Sequence, residues 1–261
     1  MIDLERPPQN ETRPEWGNWF EKAWNLIGLF QTYSRNIRIS RPPYVYVDSS
    51  TIRVTASSTK PIYFVIAGDL YEVTTNLDLA VSGLSANSVY YIYAIQSAGV
   101  VSLVYDANGP DTGPAGYDDF SYIGAFSTNS SGDPAPFASS GGRHSVIGLA
   151  QTASLASTTA LGSGAASVTF GQLPVTAFEV SMLCELVSTT DGNLIRVGPL
   201  DSSSCEIAVS ASTGTGTGSR ERNFFSIPIL EPQTVYYRVS VGTDEGRLQV
   251  VGWREDPAQW P

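Results

Sequence analysis

The chain has little of what catalytic and nucleic-acid-binding sites are usually made from. Its 261 residues include one histidine, two cysteines and two lysines, and only 15% of the residues are charged. A single histidine with two well-separated cysteines excludes a conventional zinc site. The net charge of −10 disfavours nucleic acid and anionic lipid as partners, because both are bound through clusters of Lys and Arg.

The two cysteines are also too few to form a disulfide framework. Cys184 and Cys205 occupy core-facing positions in alternating segments, which is typical of buried free thiols; a bridge between neighbouring strands is the other interpretation. No apolar run reaches the length of about eighteen residues that a membrane span needs, so we expect no membrane insertion. The first ten residues contain Asp3 and Glu5 and do not resemble a secretory signal.

One stretch of the chain occurs twice. Residues 84–95 and 230–241 each contain a Leu, a polar turn and Val-Tyr-Tyr, followed by strict alternation. This alternation predicts strands with one buried face. The buried faces would hold Val89, Tyr91, Tyr93 and Ile95 in the first copy, and Val235, Tyr237, Val239 and Val241 in the second. Tyr90 and Tyr236 would then point outward, as candidates either for surface binding to sugars or for pairing with a neighbouring strand or subunit.

Short alternating segments separated by Gly, Pro, Asn and Asp fill most of the remaining chain, which predicts an all-β fold. We expect two consecutive β-sandwich, jelly-roll-like domains preceded by one N-terminal amphipathic helix. The predicted ranges are an arm and anchoring helix at residues 1–35, a first sandwich at 36–145, a Ser/Gly/Ala-rich connector at 146–164 and a second sandwich at 165–261.

The N-terminal helix is predicted to begin near residue 12. Thr12 and Glu15 have the spacing of a capping box, and Pro14 falls in the first turn. Apolar residues then recur at helical spacing, and the stripe contains Trp16, Trp19, Phe20, Trp24, Ile27 and Phe30. The stripe packs either on the first β domain or on copies of the chain or a larger particle. An interfacial membrane helix is a third interpretation, which the lack of basic residues on the polar face disfavours. Its residues are therefore our candidates for oligomerisation or anchoring.

Catalytic and metal-binding constellations are not expected. His144 lies in a Gly-rich loop without a nucleophile motif, which is typical of a surface histidine. Asp118 and Asp119 are adjacent and would point to opposite faces of a strand, so they make a poor pair for glycoside cleavage. The oxygens of the run from Asp106 to Asp111 suit calcium, but Pro110 breaks the spacing of a calcium loop. We expect no catalytic residues, no metal site and no cofactor, and hence not an enzyme.

A longer pattern begins at Ser82. Gly-Leu, Val-Tyr-Tyr-Ile-Tyr, a glycine turn, Val-Ser-Leu-Val-Tyr, a Gly/Pro-rich loop and the run from Gly116 to Gly132 follow in order. This order resembles a segment of tail-fibre and other minor virion proteins of tailed bacteriophages, where an aromatic strand precedes Tyr-x-x-Phe-Arg-Arg-Ile-Gly-Ser-x-x-Thr-Asp-x-Ser-Gly. The positions kept here are Tyr117, Phe120, Ile123, Gly124, Thr128, Ser131 and Gly132. Ser121 and Tyr122 replace the basic pair, and the match covers about a fifth of the chain.

The resemblance implies a structural component of a tailed-phage virion, of the tail-fibre or appendage type, attached through its N-terminal helix. Such fibres are commonly homotrimers, so the implied partners are copies of the chain, other phage virion proteins and a host surface glycan. The implied location is the virion, assembled in the host cytoplasm. Two alternatives stay open: a capsid decoration (cement) protein and a carbohydrate-binding module.

Overall fold

The computed structural model of the protein describes residues 42–140, 142–146, 152–155, 166–188, 194–201, 207–210, 219–239 and 245–255. All regular elements in these ranges are strands, which confirms the all-β prediction. Residues 41–261 form one compact unit. The helix expected within residues 1–35 lies outside the described residues and stays a prediction. No helix in the described ranges is long and apolar enough to cross a membrane.

The described residues of the first part of the chain form eleven strands. Their bounds are β1 (Tyr44–Asp48), β2 (Thr51–Val54), β3 (Ile62–Ile66), β4 (Asp69–Val73), β5 (Leu77–Ala80), β6 (Val89–Ser97), β7 (Val100–Asp106), β8 (Ser121–Ser127), β9 (Phe137–Ser140), β10 (Arg143–Val146) and β11 (Thr152–Leu155). Seven more follow: β12 (Ala166–Thr169), β13 (Ala177–Ser188), β14 (Leu194–Gly198), β15 (Ile207–Ser210), β16 (Ser219–Pro228), β17 (Thr234–Val239) and β18 (Glu245–Glu255).

The largest sheet has nine antiparallel strands. Its order is β16-β13-β18-β10-β9-β1-β2-β5, and β11 also pairs with β18. β10 is the connecting strand, because His144 lies opposite Ser139 of β9 on one side and opposite Trp253 of β18 on the other. Strands of both predicted sandwich ranges therefore lie in one continuous sheet.

The predicted boundaries do not coincide with a break in this sheet. The predicted connector, residues 146–164, contains β11, and most of its other residues lie outside the described ranges, so the boundaries themselves stay a prediction. Strands β9 to β12 were not predicted from sequence. Each has four residues. Strands β9, β11 and β12 are composed largely of Ser, Thr and Ala, and β10 contains a single large apolar residue, so all four offer little alternation to detect.

Strand β6 is buried on both faces, which differs from the single buried face expected for it. It is the central strand of the three-stranded sheet β7-β6-β8. Tyr91 and Tyr93 pack with Tyr122 in a small aromatic cluster. Ile92 and Ala94, on the opposite face, belong to the main core. A strand that is covered on both sides carries a continuous run of apolar residues. The run Tyr91-Ile92-Tyr93-Ala94-Ile95 has this character, so it was wrong to expect a single buried face.

Strand β17, the second copy of the repeat, follows the predicted alternation. Val235, Tyr237 and Val239 are buried, whereas Tyr236 and Arg238 are half-buried. This strand belongs to the four-stranded sheet β12-β17-β14-β15, and strands β3 and β4 form a separate hairpin. The two copies of the repeat therefore occupy different environments despite their similar sequences.

Cys184 is a fully buried free thiol on β13, in the row that also contains Met182 and Leu186. Burial raises the pKa of this thiol to about 12, because a charged thiolate is poorly solvated in an apolar core. This confirms the interpretation of Cys184 as a core residue. Cys205 lies outside the described residues.

Candidate functional site

The residues predicted from sequence to form a site are not brought together in the described part of the chain. The anchoring candidates Trp16, Trp19, Phe20, Trp24, Ile27 and Phe30 lie outside the described residues. Tyr90 and Tyr236, the surface-binding candidates, lie on β6 and β17, which belong to different sheets. Surface binding by either tyrosine stays a prediction.

Tyr90 is half-buried and held on several sides. Its ring stacks on Phe126 with centroids 5.8 Å apart, and the ring of Tyr105 meets it edge-on at the same distance. Its hydroxyl oxygen accepts a hydrogen bond from the Ser85 N–H at 2.9 Å. With one ring face covered by Phe126, this side chain offers a ligand far less stacking surface than a free tyrosine would.

Tyr236 occupies a central strand, with β12 on one side and β14 on the other. Its hydroxyl donates a hydrogen bond to Glu231 Oε2 at 2.8 Å. This bond to a carboxylate favours the protonated phenol and raises the pKa of Tyr236. The contact fixes the hydroxyl within its own turn.

His144 is buried, so the expectation of a surface histidine was wrong. It lies on β10 with 2% of its surface exposed. Its ring stacks on Trp253, with centroids 4.8 Å apart and planes 15° from parallel. Its Nε2 lies 2.8 Å from Glu255 Oε2 and 2.9 Å from the Tyr44 hydroxyl. Because that hydroxyl donates to the Ala125 carbonyl, it accepts from the imidazole.

Glu255 completes this buried cluster from strand β18. Its side chain is fully buried, and its Oε1 accepts hydrogen bonds from the Tyr122 and Thr176 hydroxyls. A buried carboxyl group is tolerated when hydrogen-bond donors surround it. Trp253 and Glu255 are two residues apart on one strand and so share a face. The position of Glu255 two residues after the apolar Trp253 was the one feature of the sequence that could have indicated a buried carboxyl group.

Chemically, this cluster is a buried contact between an imidazole and a carboxyl group, enclosed by hydroxyls and aromatic rings. It joins β1, β8, β10 and β18, so it ties the strands on both sides of the β10–β18 junction. Among the described residues no group of three or more His, Cys, Asp and Glu side chains is arranged to hold a metal ion. The geometry of the cluster supports a role in holding the sheet together.

A second polar cluster lies at the turn before β13, and no sequence motif indicated it. Gln172 is 3% exposed. Its Nε2 donates to Asn87 Oδ1 at 2.8 Å and to the Thr128 carbonyl at 2.9 Å. The backbone carbonyl of Gln172 accepts a hydrogen bond from Ser127 Oγ at 2.5 Å. These bonds connect the turn to residues more than forty positions earlier in the chain.

Asp106, one of the residues considered for calcium, is hydrogen-bonded within its own loop. Asp106 Oδ1 accepts from the Asn108 N–H at 2.8 Å, and its Oδ2 accepts from the Ala115 N–H at 3.0 Å. Both oxygens of Asp106 are therefore engaged by the loop that follows β7. Asp118 and Asp119 are exposed.

The most exposed large apolar side chain in the described ranges is Phe224 on β16, which is 74% exposed. It lies opposite half-buried Leu183 of β13. In the next row along the same face, the guanidinium of Arg222 bonds Glu185 Oε2 at 2.6 Å. This aromatic residue with a charged border is the most prominent surface feature of the nine-stranded sheet.

The segment with the phage-like pattern forms strands β6, β7 and β8 and the turn after them. Ile123 is fully buried. Gly124 lies against Tyr44, where a side chain would overlap the phenol. Thr128 Oγ1 donates to the Ser85 carbonyl at 2.7 Å and accepts from the Ser88 N–H at 2.9 Å. Gly132 has a φ of +87°, and a Cβ there would lie 2.6 Å from the Leu84 carbonyl oxygen.

Comparison with known proteins adds little to this description. No family model matches the chain, and no curated protein matches it. Among solved structures, it is similar to a chain from the structure of infectious bursal disease virus, Gx strain. The identity is 12%, the alignment covers 78% of this chain and 71% of that chain, and the TM-score is 0.18. At this TM-score the two chains do not share a demonstrable fold.

Proposed function

We propose that the chain is a structural component of a tailed-phage virion, of the tail-fibre or appendage type, attached through its N-terminal helix. The proposal rests on the segment that resembles such proteins. Ile123 is fully buried, and a Cβ added at Gly124 or Gly132 would lie within 3 Å of a neighbouring atom. These matching positions therefore lie where burial or close approach restricts the choice of residue, which supports the proposal.

The apolar stripe at residues 16–30 provides the second support. Three tryptophans and two phenylalanines on one predicted helical face would need a partner surface to exclude water. Copies of the chain or another virion protein provide such a surface, and the acidic remainder of the chain keeps the assembled appendage soluble.

Tyr117 is the exposed aromatic residue among the kept positions. It is 43% exposed, so burial does not explain its residue type. An exposed aromatic at a kept position is a candidate contact with a virion partner or a host glycan. Replacing Tyr117 with Ser should leave folding intact while weakening attachment or adsorption.

The proposal is tested first on purified particles of the phage that encodes the chain. Quantitative mass spectrometry should find the protein in the particle, with a copy number that is a small multiple of the tail symmetry. A copy number matching that of the capsid subunits would support the decoration alternative instead. Absence of the protein from purified particles would overturn the proposal.

The assembly role of the stripe is tested with the full-length chain. Native mass spectrometry should give a trimer for the unchanged protein and a monomer after Trp19→Gln and Trp24→Gln, because each removes an aromatic ring from the apolar face. Glu21→Gln and Lys22→Gln, on the predicted polar face, are the matched controls and should remain trimeric. A trimer that persists in the tryptophan variants would place the subunit contact elsewhere.

A further inference from the structure

The turn before β13, which we call the plug, packs into a site on the first part of the chain, which we call the socket. Five of its seven residues, from Phe170 to Thr176, are buried: Phe170, Gln172, Leu173, Pro174 and Thr176. The socket consists of Asn87, Ser127 and Thr128, which provide the three bonds to Gln172. The turn is thus held by specific polar contacts and by burial together.

Contacts within its own part of the chain hold the backbone of the socket in place. Asn87 has a φ of +52°, a left-handed conformation that Asn tolerates better than most residues. Its N–H donates to the Asn129 carbonyl at 3.0 Å, and the Ser88 N–H donates to Thr128 Oγ1. These bonds lie entirely within residues 42–146, so the socket is held by its own part of the chain.

The plug is likewise held by its own part of the chain. The Phe170 N–H donates to the Gln233 carbonyl at 2.8 Å, and the Leu173 N–H donates to the Phe170 carbonyl at 2.9 Å. Gln233 Nε2 returns a bond to the Leu173 carbonyl at 2.5 Å. The turn is therefore fixed by residues 166–239 before any contact with the socket is counted.

Further contacts extend the same junction on either side. The Val175 N–H donates to the Tyr91 hydroxyl at 3.3 Å, and the Tyr122 hydroxyl bonds Glu255. Strand β10 pairs with β18 next to these groups. Two preformed surfaces that meet through matched donors and acceptors have the anatomy of a protein–protein interface.

We propose that residues 166–255 bind residues 42–146 as a docked partner, with Gln172 as the central anchor, so that the two parts remain associated when the chain between them is cut. The partner that fits the socket is a β module that presents a buried glutamine carboxamide in the turn before a strand. The socket lies in the phage-like segment, so this segment doubles as an adaptor for a following β module. The proposal concerns the junction alone and is independent of the proposed function.

The test uses the full-length chain with a site-specific protease sequence inserted between residues 156 and 165. After cleavage, size-exclusion chromatography and native mass spectrometry should find both pieces in one complex with a one-to-one mass. Immediate separation of the pieces after cleavage of the otherwise unchanged chain would overturn the proposal.

The anchor is tested by Gln172→Glu in the cleavable chain. The carboxylate faces the Asn87 Oδ1 and Thr128 carbonyl oxygens without a proton to donate, so the cut pieces should dissociate at least tenfold more readily on dilution. Gln96→Glu is the matched control: Gln96 lies beside the turn between β6 and β7, at the end of β6 away from the socket, so the dissociation constant of its cut complex should equal that of the parent. Equal dissociation constants for the two cut variants would overturn the role of Gln172.

A variant in the socket tests the same contact independently, in case Gln172→Glu disturbs the folding of the plug. Asn87→Gly removes the acceptor at a position where glycine suits the positive φ. Intact Asn87→Gly protein should show the near-ultraviolet circular dichroism of the parent, and its cut pieces should separate more readily. If the cut Asn87→Gly protein dissociates no more readily than the cut parent, Asn87 does not contribute to binding of the plug, and the proposed role of the socket is contradicted.

Discussion

The α-carbon of Gly124 lies directly against the phenol of Tyr44, and a Cβ atom added at Gly124 would overlap the Tyr44 hydroxyl. This close approach lets Tyr44 reach the Ala125 carbonyl at 2.9 Å while also contacting His144. A glycine at position 124 is therefore what allows strand β8 to cover the His144 cluster.

We expect Gly124→Ala to destabilise the protein by about 1–3 kcal/mol, the usual cost of overpacking a filled core. The added methyl group must displace a fully buried tyrosine whose hydroxyl is already engaged. Thermal and urea unfolding followed by circular dichroism measure the effect. Gly171→Ala is the control, because a Cβ at Gly171 meets no atom within 4 Å; equal losses in the two variants would show that the contact with Tyr44 is unimportant.

The buried contact between His144 and Glu255 gives a second prediction. Replacing His144 with Phe keeps an aromatic ring on Trp253 but leaves the Glu255 carboxyl group buried without the imidazole nitrogen beside it. We expect a loss of about 3–5 kcal/mol, the range for removing one partner of a buried pair. Urea unfolding at neutral pH gives the value.

The control for this variant is Arg254→Gln. Arg254 is paired with Glu179 at 3.5 Å on the surface, where the two side chains are 47% and 24% exposed. Surface pairs contribute about 0–1 kcal/mol, so this variant should stay close to the parent. The interpretation of the His144 cluster fails if His144→Phe costs no more than Arg254→Gln.

The strands that the sequence predicted well are those with large residues in regular alternation. Strand β13 alternates from Val180 to Leu186, and β17 follows the same rule. The connecting strand β10 escaped prediction because Arg-His-Ser-Val contains a single large apolar residue. Its position between β9 and β18 depends on partners more than a hundred residues away, such as Trp253, which no local pattern specifies.

The site was harder to predict for the same reason. Gln172 is an ordinary polar residue in a Gly/Pro-containing turn, and only its partners Asn87 and Thr128 make it an anchor. His144 looked like a surface residue because its Gly-rich neighbours indicate a loop. In both cases long-range contacts convert a residue that is polar in sequence into one that is buried in the fold.

Backbone conformation gives a third prediction, with two glycines compared. Gly99 and Gly132 have φ values of +82° and +87°, but a Cβ at Gly99 would meet no atom within 4 Å. A Cβ at Gly132 would lie 2.6 Å from the Leu84 carbonyl oxygen. Gly99→Ala should therefore cost only the conformational strain of about 1 kcal/mol, and Gly132→Ala should cost clearly more.

Thermal unfolding of the two variants at the same pH separates these contributions. The difference between them reports the clash with Leu84, since both carry nearly the same backbone strain. Gly132→Asn provides a further comparison, because Asn relieves part of the strain but keeps the clash. A Gly132→Ala variant as stable as Gly99→Ala would indicate that the turn after β8 relaxes freely.

The last prediction concerns Cys184 and pH. Burial raises the pKa of its thiol from 9.0 to about 12, so above pH 9 the folded state keeps a proton that the unfolded state has lost. The stabilisation from this thiol is fully present below pH 9 and is lost as the pH rises towards 12, at up to about 1.4 kcal/mol per pH unit. Urea unfolding between pH 8 and 11 should therefore show a flatter stability profile for Cys184→Ala than for the parent, with both in a Cys205→Ser background. In that background a thiol reagent at pH 8 should label Cys184 only after denaturant is added, and rapid labelling of the folded protein would contradict its burial.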